Sequence, residues 1–342
     1  MTATKTTKKT KKTETAKTTN TTNTTNTTNT TNTTTTTTSG TITVQGERIA
    51  ITNPDRVLWP EAGITKLRYL EKLAELAPFL IRHCDGRYLT VIRYPNGIHG
   101  KSFYQKNAPE PLPAFVRTAE QNGIRYVVLD SLPTLIWLGN LACLEFHASF
   151  DRIGEPLRPT EWVIDLDPSR EEEPRIMEAA WLAGEVLRSL GIASVPKTSG
   201  ATGVQIVVPV EPDLTFDELR AIGRFVGEYL VSRHPKLFTI ERLKKNRGDL
   251  IYFDYLQHYA GKTLSAPYTP RARPAASVST PLTWDEVRAD ARPADFNLHT
   301  IGPRLRRLGD LLERAPRQNL RPIWEFIKGR SPSPSSSRSR PT

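Results

Sequence analysis

Two aspartates in residues 162–168, which read WVIDLDP, have the clearest potential for chemistry in this chain. The apolar residues around them predict a strand that ends at the proline, with Asp165 and Asp167 on one face about 7 Å apart. Like charges on such a strand repel each other unless a cation lies between them, and a divalent metal ion is the natural candidate. A strand end whose acids simply reach water stays open as the alternative.

A third carboxylate, Asp254, lies within the apolar residues 250–256, which read LIYFDYL. If this second predicted strand is a neighbour of the first, about 4.8 Å away, the three carboxylates converge. Such a triad could hold two Mg²⁺ or Mn²⁺ ions, the arrangement that stabilises the attacking and leaving oxygens in phosphoryl transfer. The alternative is a buried Asp254 whose oxygens accept hydrogen bonds from backbone donors.

Charge is spread unevenly along the 342 residues, whose net charge is +11. Residues 1–40 are rich in Thr, Asn and Lys and carry +5, and residues 330–342 carry +3, which leaves +3 for the body. Residues 1–40 and the Ser/Pro/Arg-rich residues 329–342 are expected to be disordered, on either side of one domain at 41–328. Basic tails attract nucleic acid without sequence preference, but a body charge of +3 does not identify a DNA-binding protein.

The cysteine content and the lack of long apolar runs indicate the cellular compartment. Cys84 and Cys143 are the only cysteines and form no metal-binding spacing, which argues against a structural zinc site or a disulfide framework and favours the reducing cytoplasm. No apolar run of 18 residues exists, so no membrane span is expected, and the N-terminus has no secretory signal.

The elements that must position these acids follow from hydrophobic periodicity and capping signals. Helices are predicted over 66–83 (capped by Thr65), 131–147, 171–190, 215–233, 283–291 and 302–314. Other strands are predicted over 41–44, 48–52, 87–93, 192–198 and 204–210. If the end of the 131–147 segment is instead extended, Glu145 and His147 would share a face.

Three loops carry further chemistry. Residues 199–203, SGATG, could form a nest of backbone N–H groups for an anion, although an ordinary hairpin loop is the favoured interpretation locally. Residues 98–106 mix cations with Phe103 and Tyr104, which suits nucleic acid, although such aromatics are more often core residues. Residues 257–271 supply donors and cations directly after Asp254, which could neutralise a triphosphate.

Taken together, these segments resemble the polymerase domain of bacterial ligase D, the end-joining member of the archaeo-eukaryotic primase superfamily. The resemblance extends over roughly residues 41–327 in matching order and spacing. The segments that carry it are TNPDRVLWP (52–60), RYPNG (93–97), SFYQKN (102–107), LEFH (144–147), IDLDP (164–168), TSG (198–200) with Gly203, DYLQ (254–257), GKT (261–263), APY (266–268) and VSTPL (278–282).

The resemblance implies a mixed α/β primase-polymerase fold, with a central antiparallel RRM-like palm sheet that bears the acids, flanking helices and a smaller N-terminal lobe. It implies a template-directed nucleotidyl transferase that fills gaps at broken DNA ends, takes NTP or dNTP with a preference for ribonucleotides, and uses two Mg²⁺ or Mn²⁺ ions. Such an enzyme would be cytoplasmic and associated with the nucleoid.

The resemblance also implies residue roles. The metal ligands and catalytic residues would be Asp165, Asp167 and Asp254. The contacts to the incoming nucleotide would be Phe103, Tyr104, His147, Ser199, Thr202, Gln205, Gln257, Lys262 and Arg271, with the aromatic pair stacking on the base and template. The pocket for the 5′-phosphate of the downstream strand would be Asn53, Arg56 and Lys66.

Four positions depart from the family pattern. Many members have His at the position of Gln205, which can donate a hydrogen bond but cannot carry charge, and Asn at the position of His258. Arg56 in place of Lys should preserve phosphate binding. Thr202 stands at or beside a position often held by Lys in the glycine loop.

The partners expected from the resemblance are gapped or broken DNA with a 5′-phosphate, a Ku-type end-binding protein and a separate DNA ligase. Residues 84–87, CDGR, superficially resemble a ligase adenylation motif, but the lysine nucleophile ahead of Asp-Gly is missing. We therefore expect a free-standing polymerase domain without ligase or nuclease modules.

Three other functions are weighed against this one. A haloacid-dehalogenase-type phosphatase also uses a D-x-D strand end, and Gly248-Asp249 with Asp254 imitates its later acidic motif, but it leaves the aromatic and basic segments unexplained. A non-catalytic DNA-end bridging module would not need three intact carboxylates. A primase of a mobile replicon would have no downstream 5′-phosphate for Asn53, Arg56 and Lys66 to bind.

Overall fold

The computed structural model describes residues 36–38 and 40–330, which form a mixed α/β structure. Its helices are α1 (Lys66–Cys84), α2 (Leu132–Asn140), α3 (Ile176–Ser189), α4 (Phe216–Arg233), α5 (Trp284–Arg288), α6 (Ile301–Leu308) and α7 (Arg321–Arg330). Its first strands are β1 (Thr36–Thr38), β2 (Thr41–Val44), β3 (Glu47–Ala50), β4 (Val57–Trp59), β5 (Ile64–Thr65), β6 (Arg87–Arg93), β7 (Phe103–Gln105), β8 (Thr118–Gln121) and β9 (Ile124–Val127). The remaining strands are β10 (Cys143–Arg152), β11 (Glu161–Pro168), β12 (Val195–Thr198), β13 (Val204–Pro209), β14 (Phe238–Thr239), β15 (Ile251–Asp254) and β16 (Thr263–Ser265).

The expected disordered tails fall mostly outside the described residues. One exception is β1, which lies in the expected N-terminal tail and pairs with β2 of the domain. The other is the end of α7, which reaches Arg330 and so enters the expected C-terminal tail. No helix in the described part of the chain has the length and hydropathy that crossing a membrane requires.

Two sheets organise the molecule. A five-stranded sheet has the order β12-β13-β11-β15-β14 and carries the aspartates on β11 and β15. Its pairs are antiparallel, as expected, except that the edge strand β14 is parallel to β15. A four-stranded antiparallel sheet has the order β16-β10-β6-β7.

Each sheet has its own hydrophobic core. The N-terminal lobe, with α1, α2 and the four-stranded sheet, encloses one core, and α3 and α4 cover one face of the five-stranded sheet to form a second. The other face of the five-stranded sheet packs against the four-stranded sheet through a small cluster that includes Phe150, Val163 and Val207. Because side chains alternate along β11, Asp165 lies on the same face as Val163, at this junction of the two sheets.

The predicted helix over 131–147 is wrong in its second half. Helix α2 ends at Asn140, whose side chain donates to Ala50 O (2.9 Å), and Ala142 turns the chain with a positive φ of 59°. The chain then continues as β10, so Glu145 and His147 share a face, which is the extended alternative considered above.

Three other helix predictions are too long, and one of them is the helix over 283–291, because α5 ends at Arg288. Helix α3 begins at Ile176 rather than at residue 171, because Pro174 disfavours helical backbone at the residue before it and Glu173 instead pairs with Arg175. Helix α6 ends at Leu308, where Gly309 adopts a positive φ of 63°. The predicted caps Thr65 and Thr215 are confirmed, and the latter forms a full capping box with Glu218.

Candidate active site

Four polar residues form a row across the five-stranded sheet. In strand register, Lys197 on β12 is opposite Gln205 on β13, which is opposite Asp165 on β11, which is opposite Asp254 on β15. Directly opposite residues have their Cβ atoms about 4.5–5.5 Å apart, so the four side chains are neighbours on one face. The row confirms that the two aspartate-bearing strands are adjacent, and it has a cation at one end and carboxylates at the other.

Asp165 is the most perturbed acid of this row. Burial, followed by the nearby charges of Asp254 and Asp167, raises the pKa of Asp165 to about 7. A hydrogen bond from the Gln205 amide and the positive charge of Lys197 act in the opposite direction and only partly compensate. The site therefore has an excess of negative charge that a cation would neutralise.

The other two acids have partners within the protein. Asp167 is half exposed, and its Oδ2 lies 3.1 Å from Nη1 of the buried Arg247. Asp254 Oδ1 accepts hydrogen bonds from the Tyr252 hydroxyl (3.1 Å) and the backbone N–H of Leu256 (2.9 Å). A backbone donor thus reaches Asp254, as in the alternative considered above. That alternative does not account for the second buried acid, Asp165, on the neighbouring strand.

The donor set fits a hard divalent cation. Within residues 36–38 and 40–330, no three His, Cys, Asp or Glu side chains are already gathered in a geometry that could hold a metal ion. Asp165, Asp167 and Asp254 nevertheless share one face, supply only oxygen donors and repel one another. Oxygen donors with excess negative charge suit Mg²⁺ or Mn²⁺, provided that Asp167 exchanges its contact with Arg247 for the ion.

The 199–203 turn packs tightly against the end of β11. A Cβ atom at Gly203 would lie 2.5 Å from Leu166 O, and one at Gly200 would lie 2.6 Å from Arg271 Cγ. The Ser199 hydroxyl accepts hydrogen bonds from the N–H groups of Ala201 and Gly203, both at 3.1 Å. Two of the turn's N–H groups are thus already used, and Thr202 is partly exposed beside them.

A second group of charged side chains lies beside this turn. Glu145 Oε2 is 3.0 Å from both His147 Nε2 and Arg271 Nε, and Glu145 Oε1 accepts from the N–H of Ala272 at 3.0 Å. Burial opposes the ionisation of Glu145, but His147, Arg271 and Ala272 outweigh it and lower its pKa to about 2. Arg271 also donates to Ser199 O. Glu145, which was not assigned a role from the sequence, therefore orients two candidate phosphate ligands.

Lys197 was also missed by the sequence-based assignment. Its side chain is buried, and its Nζ donates to Gln205 Oε1, to Ser279 Oγ (2.5 Å) and to Ser265 O (3.2 Å). Burial, followed by the proximity of Arg271, lowers the pKa of Lys197 to about 7. A lysine in a strand is normally exposed, so only its register opposite Gln205 could have indicated this role.

Gln257 and Lys262 come after Asp254 in the chain and lie around the start of β16. Gln257 Nε2 donates to Thr263 O at 3.2 Å, and Lys262 Nζ donates to Leu256 O at 3.0 Å. Lys262 lines a cavity beside Asp254, rather than the group formed by Ser199 and Arg271.

The aromatic pair lies on the exposed edge strand β7. Phe103 is 42% exposed and Tyr104 is 72% exposed, so neither residue belongs to a core. Arg93 Cζ lies 5.2 Å from the centre of the Phe103 ring. Exposed rings beside a guanidinium group can stack on nucleic acid bases.

Lys66 and Arg56 are close together in the N-terminal lobe. Burial and the nearby Arg56 lower the pKa of Lys66 to about 8, although Lys66 Nζ already donates to Thr52 Oγ1 (3.0 Å) and to the backbone and side-chain oxygens of Asn140. Arg56 is exposed and donates to Asn96 Oδ1 at 3.1 Å, while Asn53 is exposed with a positive φ of 47°. Two adjacent cations that repel each other form a suitable place for an anion.

His258 lies away from the row. Its ring is fully buried between Phe150 and Phe216, with centroid distances of 4.6 and 5.0 Å, and neither ring nitrogen has a hydrogen-bond partner among the described residues. Burial, with Arg87 and Arg220 nearby, lowers its pKa to about 3. His258 is therefore a neutral packing residue at the junction of the sheets.

Comparisons with known proteins place this geometry in context. The family described as "LigD, primase-polymerase domain" matches residues 65–312. The chain is 38% identical over 264 residues to the bifunctional non-homologous end joining protein LigD of Bacillus subtilis (strain 168), which covers 77% of this chain and 43% of that protein. It is 30% identical over 273 residues to the multifunctional LigD of Mycolicibacterium smegmatis, which covers 78% of this chain and 36% of that protein.

The chain thus spans about two fifths of the length of these two curated relatives. A solved structure described as the polymerase domain from Mycobacterium tuberculosis ligase D in complex with DNA is also similar, at 30% identity and a TM-score of 0.72. The match covers 79% of this chain and 99% of that chain.

Proposed function

Because the chain belongs to the LigD primase-polymerase domain family, we propose that it is a template-directed nucleotidyl transferase that acts in DNA end joining. In this role it fills gaps and extends broken ends in double-strand break repair. The observation that carries the proposal is the register of Asp165 opposite Asp254, with Asp167 on the same face. A polymerase of this kind implies divalent metal and nucleotide substrates.

The proposed reaction is an in-line displacement. The primer 3′-oxygen forms a bond to the α-phosphorus of the nucleotide, and the bond from that phosphorus to the bridging oxygen breaks, releasing pyrophosphate. Asp165, Asp167 and Asp254 would hold Mg²⁺ or Mn²⁺, which supplies charge stabilisation for the attacking and leaving oxygens.

The residues beside the 199–203 turn would bind the nucleotide's phosphates. Arg271 is held by Glu145 and by Ser199 O, so its positive charge is fixed beside the turn, where it would attract a phosphate. His147 would donate to the same ligand, and Lys197 would hold Gln205 in place through Oε1. Fixed cations in a partly buried site stabilise developing negative charge without reorganising.

The DNA contacts proposed for this chain come from the N-terminal lobe and β7. Phe103 and Tyr104 would stack on bases, and Asn53, Arg56 and Lys66 would bind the 5′-phosphate across the gap. We further propose that a Ku-type end-binding protein and a DNA ligase act on the same ends, and that the protein is cytoplasmic and associated with the nucleoid.

Primer extension on a gapped duplex with a 5′-phosphate tests the proposal. We expect templated addition with Mn²⁺ or Mg²⁺ that falls at least about 10³-fold in Asp254→Ala, because the carboxylate ligands act as a unit. Parallel reactions with NTP and dNTP measure the proposed ribonucleotide preference. Retained DNA binding without any addition by the unaltered protein would contradict the proposal and favour an end-bridging module.

The 5′-phosphate pocket has its own test. Arg56→Ala and Lys66→Ala should each weaken binding to gapped DNA by about tenfold when the downstream 5′ end is phosphorylated, and not when it carries a hydroxyl. Because Lys66 is buried, its variant must first show native unfolding behaviour, whereas the exposed Arg56 needs no such check. A loss that is the same with and without the phosphate would contradict the assignment.

A further inference from the structure

A basic cavity of about 430 Å³ lies on the side of Asp254 away from Gln205 and Lys197. Its wall includes Asp254 itself, together with the cationic side chains of Arg220, Arg242, Arg247 and Lys262 and the ring of Tyr259. The cavity therefore borders Asp254, one of the three proposed catalytic carboxylates, on the flank opposite to the 199–203 turn.

The cations of this cavity are not all used in holding the fold together. Arg247 is buried and pairs with Asp167, and Arg220 pairs with Asp217 at 2.6 Å while its Cζ lies 4.7 Å from the centre of the Tyr259 ring. By contrast, Arg242 and Lys262 are exposed and form no ion pair among the described residues. Both side chains line the cavity, and the acid on its wall, Asp254, is not within ion-pair distance of either of them.

The basic surface continues away from the carboxylates. Lys244 and Lys245 follow Arg242 in a short 3-10 turn, and both are exposed and without ion pairs in the described part of the chain. The half-exposed ring of Tyr259, stacked with Arg220, adds an aromatic surface at the mouth. A line of cations with an aromatic ring suits a strand with repeating phosphates better than it suits a compact anion.

The in-line geometry of the proposed reaction indicates which side of the carboxylates faces the leaving group and which side faces the attacking strand. In an in-line displacement, the attacking and leaving oxygens lie on opposite sides of the phosphorus. Arg271, His147 and Lys197 are collected in a partly buried group on the Gln205 side, which suits the compact pyrophosphate that leaves. The attacking 3′-oxygen must then approach from the other side, where the open basic cavity lies.

We propose that this cavity binds the backbone phosphates of the primer strand next to its 3′ end. Arg242 and Lys262 contact phosphates, Tyr259 with Arg220 supports a base or sugar, and Lys244 and Lys245 attract the strand further upstream. This proposal rests on the proposed polymerase function and adds to it the path along which the attacking strand enters.

The experiment compares two double variants that remove the same charge. Arg220→Ala with Arg242→Ala removes two cations from the cavity, whereas Arg224→Ala with Arg233→Ala removes two exposed cations from helix α4 without touching it. Each protein is given gapped duplexes whose primers carry either ordinary phosphates or uncharged methylphosphonates in the last three linkages. Primer affinity is measured by fluorescence anisotropy, and extension gives the KM of the nucleotide.

We expect the cavity variant to bind the ordinary primer about tenfold more weakly, with a salt dependence reduced by roughly one to two phosphate contacts. The nucleotide KM should stay within about twofold, since charge-assisted contacts to the nucleotide are unchanged. The unaltered protein and the control variant should bind the methylphosphonate primer more weakly than the ordinary primer. The cavity variant should bind the two primers equally.

Other outcomes overturn the proposal. A cavity variant that still discriminates between the two primers shows that the strand lies elsewhere. A raised nucleotide KM, or weaker inhibition by added pyrophosphate, with unchanged primer affinity assigns the cavity to the nucleotide or its leaving group. If the unaltered protein binds primer but extends nothing, the polymerase function fails, and the anisotropy comparison still decides where the primer strand binds.

Discussion

Asp165 illustrates, at the scale of a single residue, how a site can be arranged for a ligand rather than for the stability of the fold. Its pKa of about 7 means that the folded protein holds a proton on this carboxyl between about pH 4 and 7, where the unfolded chain, with an ordinary value of 3.8, does not. The stability that comes from this proton is present at low pH and is lost as the pH rises through 7. Asp165 therefore destabilises the metal-free protein at pH 8.

Asp165→Asn should consequently stabilise the metal-free protein while it abolishes extension. We expect the free energy of unfolding in urea, with EDTA present, to rise by about 1–3 kcal/mol at pH 8 and to change little at pH 4. The exposed Glu211→Gln serves as a control for removal of one acidic charge. A variant that is less stable than the unaltered protein at pH 8 would show that Asp165 is a structural residue.

Residue types and spacing were sufficient to select the three aspartates, but not the residues that support them. Lys197 and Glu145 act through the partners that the fold brings to them, Gln205 in one case and His147 with Arg271 in the other. These contacts join β12 to β13 and β10 to a distant loop, and such pairs cannot be predicted from the local sequence. The roles assigned to the three aspartates and to the other candidate residues stay predictions.

At the scale of elements, the turn between β12 and β13 depends on a close approach of two backbones. A side chain at Gly203 would meet Leu166 O at 2.5 Å, between Asp165 and Asp167 on β11. Gly203→Ala should therefore push β11 and β13 apart at this point and cost about 1–3 kcal/mol of stability. Extension should fall by more than the fraction of unfolded protein explains.

Gly329→Ala provides the matched glycine control, because an added Cβ there meets nothing within 4 Å. Thermal unfolding and extension are measured on both variants. Equal behaviour of the two proteins would mean that the turn tolerates the added methyl group and that the β11–β13 contact is looser than described.

Helix starts with side-chain caps were predicted well, whereas the 131–147 segment was not. Its apolar residues are buried both in α2 and in β10, so burial gives no periodic signal that separates a helix from a strand. The break between them depends on Asn140, which binds residues about 90 positions away in the sequence. Hydrophobic patterns in a single sequence cannot show such a contact.

At the scale of the whole molecule, the two sheets meet around His258. Its pKa of about 3 lies below the value of 6.5 in an unfolded chain, so only the unfolded chain takes up a proton between these values. Stability contributed by the neutral ring is therefore present above pH 6.5 and is lost as the pH falls toward 3. Acid should loosen the molecule at the junction of its two cores.

His258→Leu should make the protein less sensitive to acid. We expect the difference in unfolding free energy between pH 8 and pH 5 to shrink by about 2 kcal/mol, and stability at pH 8 to rise slightly because two unpaired ring nitrogens are removed. The exposed His99→Gln is the control for loss of a histidine. An unchanged pH dependence would mean that His258 is protonated or reaches solvent in the folded state.

The mixed α/β fold and the adjacency of the aspartate-bearing strands were predicted from the sequence and its resemblance. The pairing of two sheets through a small shared cluster was not, because Phe150, Val163 and Val207 look like ordinary strand residues. Which faces meet is decided by long-range packing, and no local pattern specifies it.

The row of Lys197, Gln205, Asp165 and Asp254 links the correctness of the fold to its activity. A slip of one residue between β11 and its neighbours would turn the acids toward the apolar cover of α3 and α4 and bring Ile164 and Leu166 to the junction. Such a molecule would bury unpaired charges among apolar side chains and would therefore be unstable. The strand register that the candidate site requires is therefore the same register that the stability of the fold requires.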